Sequence, residues 1–251
     1  MKKIALVTGG SRGLGRDMAI SLAKKGNNVM ITYAGNKAEA DITIKLVEEA
    51  GGKCVALQLD LTDLSSLDLF VKNVSSTLKN SFQCEKFDFL INNAGMGKTV
   101  PFEQVTEAIF DEFLNVHYKG VYFLTQKCLP LLNNNGGIIN LSSGTTRFAN
   151  PGYSVYASMK GAIETLTKYM AKELGAKGIR ANVVAPGPIE TDFNGGAIRN
   201  NAQLKGMLSS MSPLGRAGNA DDIGGVVAFL CSEDAKWING QRIEVSGGIN
   251  V

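Results

Sequence analysis

Histidine is almost missing from this 251-residue chain, in which His117 stands alone. Proton chemistry near neutral pH would need another carrier. Cysteine is sparse as well, and Cys54, Cys84, Cys128 and Cys231 lie far apart with no CxxC pair. With a single histidine beside them they make no ordinary zinc site, and no metal site is expected. They read as reduced, mostly buried thiols of a cytoplasmic protein. No apolar run approaches the ~20 residues of a membrane span. The opening "MKKIALVTGG" carries lysines, but its apolar run "IALV" is too short for a signal peptide. Linkers, charge blocks and internal repeats are also lacking, so one domain over residues 1–251 is expected. The net charge is only +3 and the lysines are scattered, which points away from a nucleic-acid partner.

What is present is an alternation. Short apolar, β-branched runs at 3–8, 28–33, 53–60, 87–92, 136–143, 179–186 and 241–248 read as strands. Between them, amphipathic stretches at 14–25, 37–50, 64–79, 106–132 and 153–175 read as helices, with shorter ones near 198–210 and 220–231. Thr62 or Asp63 supplies the cap of the third. The β-α rhythm predicts an α/β, Rossmann-type doubly wound parallel sheet of about seven strands, with helices on both faces. In such sheets ligands bind beyond the carboxyl ends of the strands.

Three stretches at those ends carry chemistry. "TGGSRGLG" (8–15) follows the first strand, and Gly9, Gly13 and Gly15 permit close approach of a phosphate to backbone N–H groups. Ser143 ends the fifth strand. Tyr156 follows on the next helix, with Lys160 at i+4 on the same face. A free tyrosine has a pKa of about 10. Lowering it about three units takes roughly 4 kcal/mol. One ammonium at a partly screened ~4 Å supplies that order. Tyr156 and Lys160 thus form an acid/base pair without histidine, Ser143 donating to the substrate oxygen.

TGxxxGxG at Thr8 to Gly15, "NNAG" at 92–95, Ser143 and the YxxxK of Tyr156 and Lys160 together resemble the short-chain dehydrogenase/reductase family, essentially end to end. The resemblance extends to its ketoreductases and its beta-ketoacyl-carrier-protein reductases, between which the sequence does not choose. It implies a reversible NAD(P)(H)-dependent reduction of ketones to secondary alcohols. A non-catalytic nucleotide-binding scaffold is the remote alternative, and it predicts the loss of Ser, Tyr or Lys.

The resemblance also assigns residues. Asn115 joins Ser143, Tyr156 and Lys160 as the group that anchors a relay water behind the lysine. Lys160 holds the nicotinamide ribose. Ser11, Arg12 and Leu14 belong with the glycines to the cofactor loop, Asp60 and Leu61 to the adenine. Asn93, Ala94 and Gly95 lie along the adenosine half. Pro186 and Gly187 turn beneath the nicotinamide, and Ile189 and Thr191 meet its carboxamide. The second strand ends at Tyr33 with no acid between 27 and 38, and Arg12, helped by Lys37, could meet a 2′-phosphate. NADP(H) is therefore favoured and NAD(H) not excluded.

Thr145, Phe148, Tyr153 and Phe193 are the expected pocket wall, under a lid at about 188–215. His117, two residues past Asn115, should turn away from it at helical spacing, as a structural or interface residue. Arg147, Arg199 and Lys205 are the cations available as a rim for an acidic carrier protein. The family is commonly tetrameric, packing the helices around 106–132 and 153–175.

Overall fold

The computed structural model describes residues 2–251. Its seven strands are β1 (Ile4–Val7), β2 (Asn28–Tyr33), β3 (Cys54–Gln58), β4 (Phe87–Asn92), β5 (Leu132–Leu141), β6 (Arg180–Pro186) and β7 (Arg242–Val245). All pairings are parallel, in the order β3-β2-β1-β4-β5-β6-β7. This is the doubly wound sheet that the alternation predicts. The strand order reverses between β1 and β4, which opens a crevice at their carboxyl ends.

Alternation along each strand divides the core. Ala5, Val7, Val29, Ile31, Phe89 and Ile91 face one layer, packed on Met18 and Leu22 of α1 (Gly13–Lys24), Val47 of α2 (Lys37–Glu49) and Val227 of α9 (Asp221–Leu230). Ile4, Leu6, Met30 and Leu90 face the other. There they meet Phe70 and Val74 of α3 (Leu67–Thr77), Leu124 of α5 (Gly120–Cys128) and Met170 of α6 (Ser154–Leu174). Each central strand is thus apolar on both faces, as a parallel sheet requires.

Several elements differ from their expected form. The stretch 106–132 is not one regular helix. It runs as α4 (Glu107–Leu114), a single π turn over Asn115–Lys119, and α5. Gly120 N–H donates to the Asn115 carbonyl, closing the wider turn. A Cβ on Gly120 would stand 2.7 Å from that carbonyl oxygen. The stretch 64–79 likewise begins with a 3-10 turn, capped by Asp63 through Ser65 N–H at 3.0 Å, and ends in a π turn over Leu78–Phe82. β5 starts four residues before the expected Gly136, with Asn135 at φ 60°. After β6 the chain makes α7 (Ala197–Asn200) and α8 (Ala202–Met211), preceded by Asn194, Gly195 and Gly196 at φ 52°, 70° and 71°.

All four cysteines are free among the described residues, three of them buried. Burial pushes the thiols of Cys54, Cys128 and Cys231 up to about 12, which keeps them unreactive. No described helix is long and apolar enough to cross a membrane.

Candidate active site

The crevice is built from the loops after β1 and β4. Thr8 Oγ1 accepts the N–H groups of Asn93 and Ala94, each at 3.0 Å. The Asn93 side chain returns a bond to Thr8 O at 2.8 Å and another to Gly9 O at 3.2 Å. Asn92 differs from its neighbour and bonds side chains, Thr125 at 3.0 Å and Asn140 at 2.8 Å. Gly9 and Gly13 take φ of 64° and 54°, and a Cβ on Gly15 would collide with Gly9 O at 2.2 Å. A side chain is therefore excluded at Gly15, where the loop turns into α1.

A dinucleotide fits this cradle by the chemistry of its donors. The α1 N-terminus has no side-chain cap and no acid in its first turn, so its N–H groups are left for an anion. Arg12 is exposed at that end and forms no ion pair among the described residues. Leu14 and Tyr33 pack against the first core layer. Ser11 is fixed through its carbonyl, which accepts from Arg16 at 2.6 Å and Thr43 at 2.9 Å. Lys37 does not join Arg12, because both its contacts are to Asp41, at 2.8 Å. Glu39, just beyond the acid-free stretch, is taken by Arg16. Asp60 accepts from Thr62 N–H at 2.9 Å and its hydroxyl at 2.7 Å, which braces the turn beyond β3, and Leu61 is buried.

On the far side Gly187 N–H donates to Val245 O at 3.0 Å, directly after Pro186 ends β6. Ile189 bridges to Gly218. Thr191 lies against Gly13, 3.6 Å from where a Cβ there would stand, and its hydroxyl accepts Phe193 N–H at 3.2 Å. The loop after β6 therefore meets the loop after β1.

Between these walls stand Ser143, Tyr156 and Lys160. Lys160 is buried, and its Nζ donates to Leu141 O at 2.7 Å while lying 5.6 Å from the Tyr156 ring centre. Four rings enclose Tyr156: His117 at 5.1 Å, Phe193 at 5.9 Å, Tyr153 at 6.1 Å and Phe113 at 6.4 Å. The enclosure reverses the expected electrostatics. Burial pushes the Tyr156 hydroxyl well above the ordinary tyrosine value, Ser143 opposes this, and Tyr153 adds to it. Lys160 itself is brought down to about 8 by burial. Desolvation dominates at both groups, so the lowering expected from one ammonium does not occur.

His117 packs beside this group. It is buried against Tyr156 as a packed structural residue, stacked on Phe113 at 5.6 Å, with Nε2 2.8 Å from Met96 O. His117 lies within the π turn over Asn115–Lys119. Burial, then the charge of Lys160, pushes the His117 pKa well down, so the imidazole is neutral. Phe113, Met96 and His117 are the site neighbours that sequence periodicity missed. The sequence signal available was that His117 is the one histidine of the chain.

Of the expected pocket residues, Tyr153 and Phe193 meet at Tyr156. Tyr153 OH bonds Asn194 Nδ2 at 3.2 Å and Thr99 Oγ1 at 3.3 Å, a clasp that joins three segments. Phe193 covers Gly97, where a Cβ would stand 2.5 Å from its ring. Thr145 bonds Ser143 directly, through N–H at 3.2 Å and Oγ1 at 3.0 Å. Phe148 lies under Gly144 with the Arg147 guanidinium over its ring. The proposed rim cations are all paired: Arg147 with Glu244, Arg199 with Asp192 and Lys205 with Glu190, at 2.8, 2.6 and 2.9 Å.

A family model described as enoyl-(acyl carrier protein) reductase matches residues 9–250. The 3-oxoacyl-acyl-carrier-protein reductase of Staphylococcus aureus is 38% identical over 251 residues, 99% of this chain and 98% of its own. Among solved structures, the angucycline C-6 ketoreductase LanV with bound NADP superposes with a TM-score of 0.93 at 35% identity, covering 98% of this chain and 95% of that one. LugOII, a promiscuous reductase catalysing keto-reduction at C1 in lugdunomycin biosynthesis, gives 0.93 at 36%, covering 98% and 96%. The chain belongs to the short-chain dehydrogenase/reductase family and is an oxidoreductase of carbonyl and CH–OH groups.

Proposed function

We propose that the protein reduces small-molecule ketones to secondary alcohols with NADPH, and oxidises the alcohols with NADP+, at Ser143, Tyr156, Lys160 and Asn115. One observation carries this reading. Ser143 and Tyr156 converge beside a buried lysine, next to an uncapped, glycine-lined helix N-terminus. When bound, the reduced nicotinamide supplies the hydride. The residues of the glycine loop, Asp60, Leu61, Asn93 to Gly95, Pro186, Gly187, Ile189 and Thr191 would hold the cofactor, with Lys160 at its ribose. Arg12 is the free cation for a 2′-phosphate, and LanV, bound to NADP, supports the same choice.

The raised Tyr156 pKa suits reduction. The hydroxyl keeps its proton at neutral pH and is loaded as the acid. As charge builds on the substrate oxygen, Ser143 donates a hydrogen bond and Tyr156 gives up its proton. Lys160, protonated below about 8, then stabilises the phenolate left behind. Asn115 anchors the relay water behind it. Phe193 and the segment 188–215 act as the lid, with Asn194, Gly195 and Gly196 as its hinge. The clasp to Tyr153 and Thr99 holds the lid shut.

The staphylococcal relative favours a second reading, reduction of 3-oxoacyl groups on a carrier protein. The pairing of Arg147, Arg199 and Lys205 with carboxylates speaks for the small ketone, since each of these three charges is already partnered. Turnover of a ketone panel and of carrier-bound 3-oxoacyl thioester, each with NADPH and NADH, tests both. Preference for thioester, or for NADH, overturns the first reading. We further infer a cytoplasmic homotetramer. The outward Tyr122 and Phe123 of α5 and Tyr169 of α6 support such packing, which light scattering checks.

A further inference from the structure

A serine hydroxyl has one proton to give and two lone pairs that accept. In a site that stabilises charge on a substrate oxygen, it is useful only if its proton points at that oxygen. Left alone, the hydroxyl rotates and wastes its proton on any nearby acceptor. Ser143 is not left alone. It sits as the cap of a single 3-10 turn, Gly144–Thr146, with extended backbone at φ −160° and ψ 152°. Its Oγ accepts from Thr145 N–H at 3.2 Å and from Thr145 Oγ1 at 3.0 Å. Both lone pairs are then occupied by one neighbour, which leaves the O–H to donate, and hydrogen bonding between Ser143 and Tyr156 opposes the rise of the tyrosine pKa.

We propose that Thr145 is a positioning residue for Ser143, its hydroxyl and N–H filling both acceptor sites of Oγ so that Ser143 acts only as a donor to the substrate oxygen. A hydroxyl that accepts two hydrogen bonds is also polarised into a better donor. The Thr145 hydroxyl makes no other hydrogen bond among the described residues. The rest of the seat does not depend on it. The Ser143 carbonyl accepts from Thr146 Oγ1 at 2.9 Å and Arg242 at 3.3 Å. Thr146 and Arg242 are both anchored on Glu164 Oε1, each at 2.7 Å. Thr145→Val keeps the shape and the N–H while removing only the hydroxyl.

This inference rests on the catalytic reading of Ser143, and the test separates the two. Ketone reduction with NADPH is measured for Thr145→Val, Thr145→Ser, Ser143→Ala and the double variant Ser143→Ala/Thr145→Val, with thermal melts of each. Expected is an about 10-fold lower kcat in Thr145→Val, the order of one neutral hydrogen bond. The ketone KM should change less than about twofold, since the interaction acts in the transition state. Thr145→Ser restores the rate. In the Ser143→Ala background Thr145→Val has no further effect, and its melt matches the parent. A wild-type rate in Thr145→Val with Ser143→Ala inactive overturns the proposal alone. So does an equal loss in the Ser143→Ala background, or failure of Thr145→Ser to restore the rate. Wild-type activity in Ser143→Ala overturns the catalytic reading and this proposal with it.

Discussion

At Tyr156 two forces act on one proton. Burial holds the proton on, and in the proposed mechanism the charge of Lys160 acts once the proton has left. A pH dependence follows from the lysine. Its pKa is depressed to about 8 by burial, so it is charged below that pH and neutral above it. The kcat/KM for reduction, which reports groups of the free enzyme, should be level toward neutral pH and fall above about 8. In Lys160→Arg that limb should vanish from the measurable range, at a lower overall rate, because guanidinium stays charged. At this scale the sequence was only partly legible. The residue types and the i+4 spacing of Tyr156 and Lys160 could be read directly. The sign of the tyrosine shift could not, because it depends on how many rings close over the hydroxyl. Those rings come from α4, the π turn, the start of α6 and the segment after β6.

The elements decide where these side chains stand. The π turn over Asn115–Lys119 carries His117 against Tyr156. Gly120 has no room for a Cβ beside the Asn115 carbonyl. Gly120→Ala should therefore displace the turn, lowering kcat by at least about 10-fold and the melting temperature with it, in the range of overpacking at ~1–3 kcal/mol. Activity and melting curves check this. The lid makes a different prediction. Asn194→Ala removes two hydrogen bonds of the clasp, to Tyr153 and Thr99. It should raise the ketone KM about 5-fold and lower the melting temperature slightly, since alanine also replaces asparagine at a φ of 52°. The strands were legible because alternating apolar residues and bounding glycines mark them. The π turns were not, because one extra residue per turn leaves the amphipathic pattern almost intact. The split of the segment 197–211 into two helices follows backbone breaks around Asn194 to Gly196 and Asn201.

Across the whole molecule, a charged network ties the C-terminal end to the Ser143 turn. Arg147 bonds Glu244 and the carbonyls of Ile249 and Asn250, while Arg242 joins Glu244 to Glu164. Burial pushes Glu244 up, but Arg147, Arg242 and Ser246 outweigh it and hold the carboxyl at about 2. A depressed carboxylate stabilises the fold above its unfolded pKa and loses that stabilisation as pH falls through the folded one. The melting temperature should therefore drop between pH about 5 and about 2, and by less in Glu244→Gln. The doubly wound architecture was visible from the β-α rhythm alone. This network was not, since its members lie 78 to 103 residues apart in pairs such as Glu164–Arg242 and Arg147–Asn250. Among the rim cations this holds for Arg147 and Glu244, 97 residues apart, while Arg199–Asp192 and Lys205–Glu190 are nearby pairs that residue type and spacing alone do not single out. The whole reading meets its most direct test in ketone-dependent oxidation of NADPH by the wild-type protein and by Tyr156→Phe. Tyr156→Phe keeps the ring packing and removes only the proton donor. A loss of about 10²–10⁴-fold in kcat, with NADPH binding retained, is predicted; near-normal turnover by Tyr156→Phe would contradict the assignment of Tyr156 as the acid.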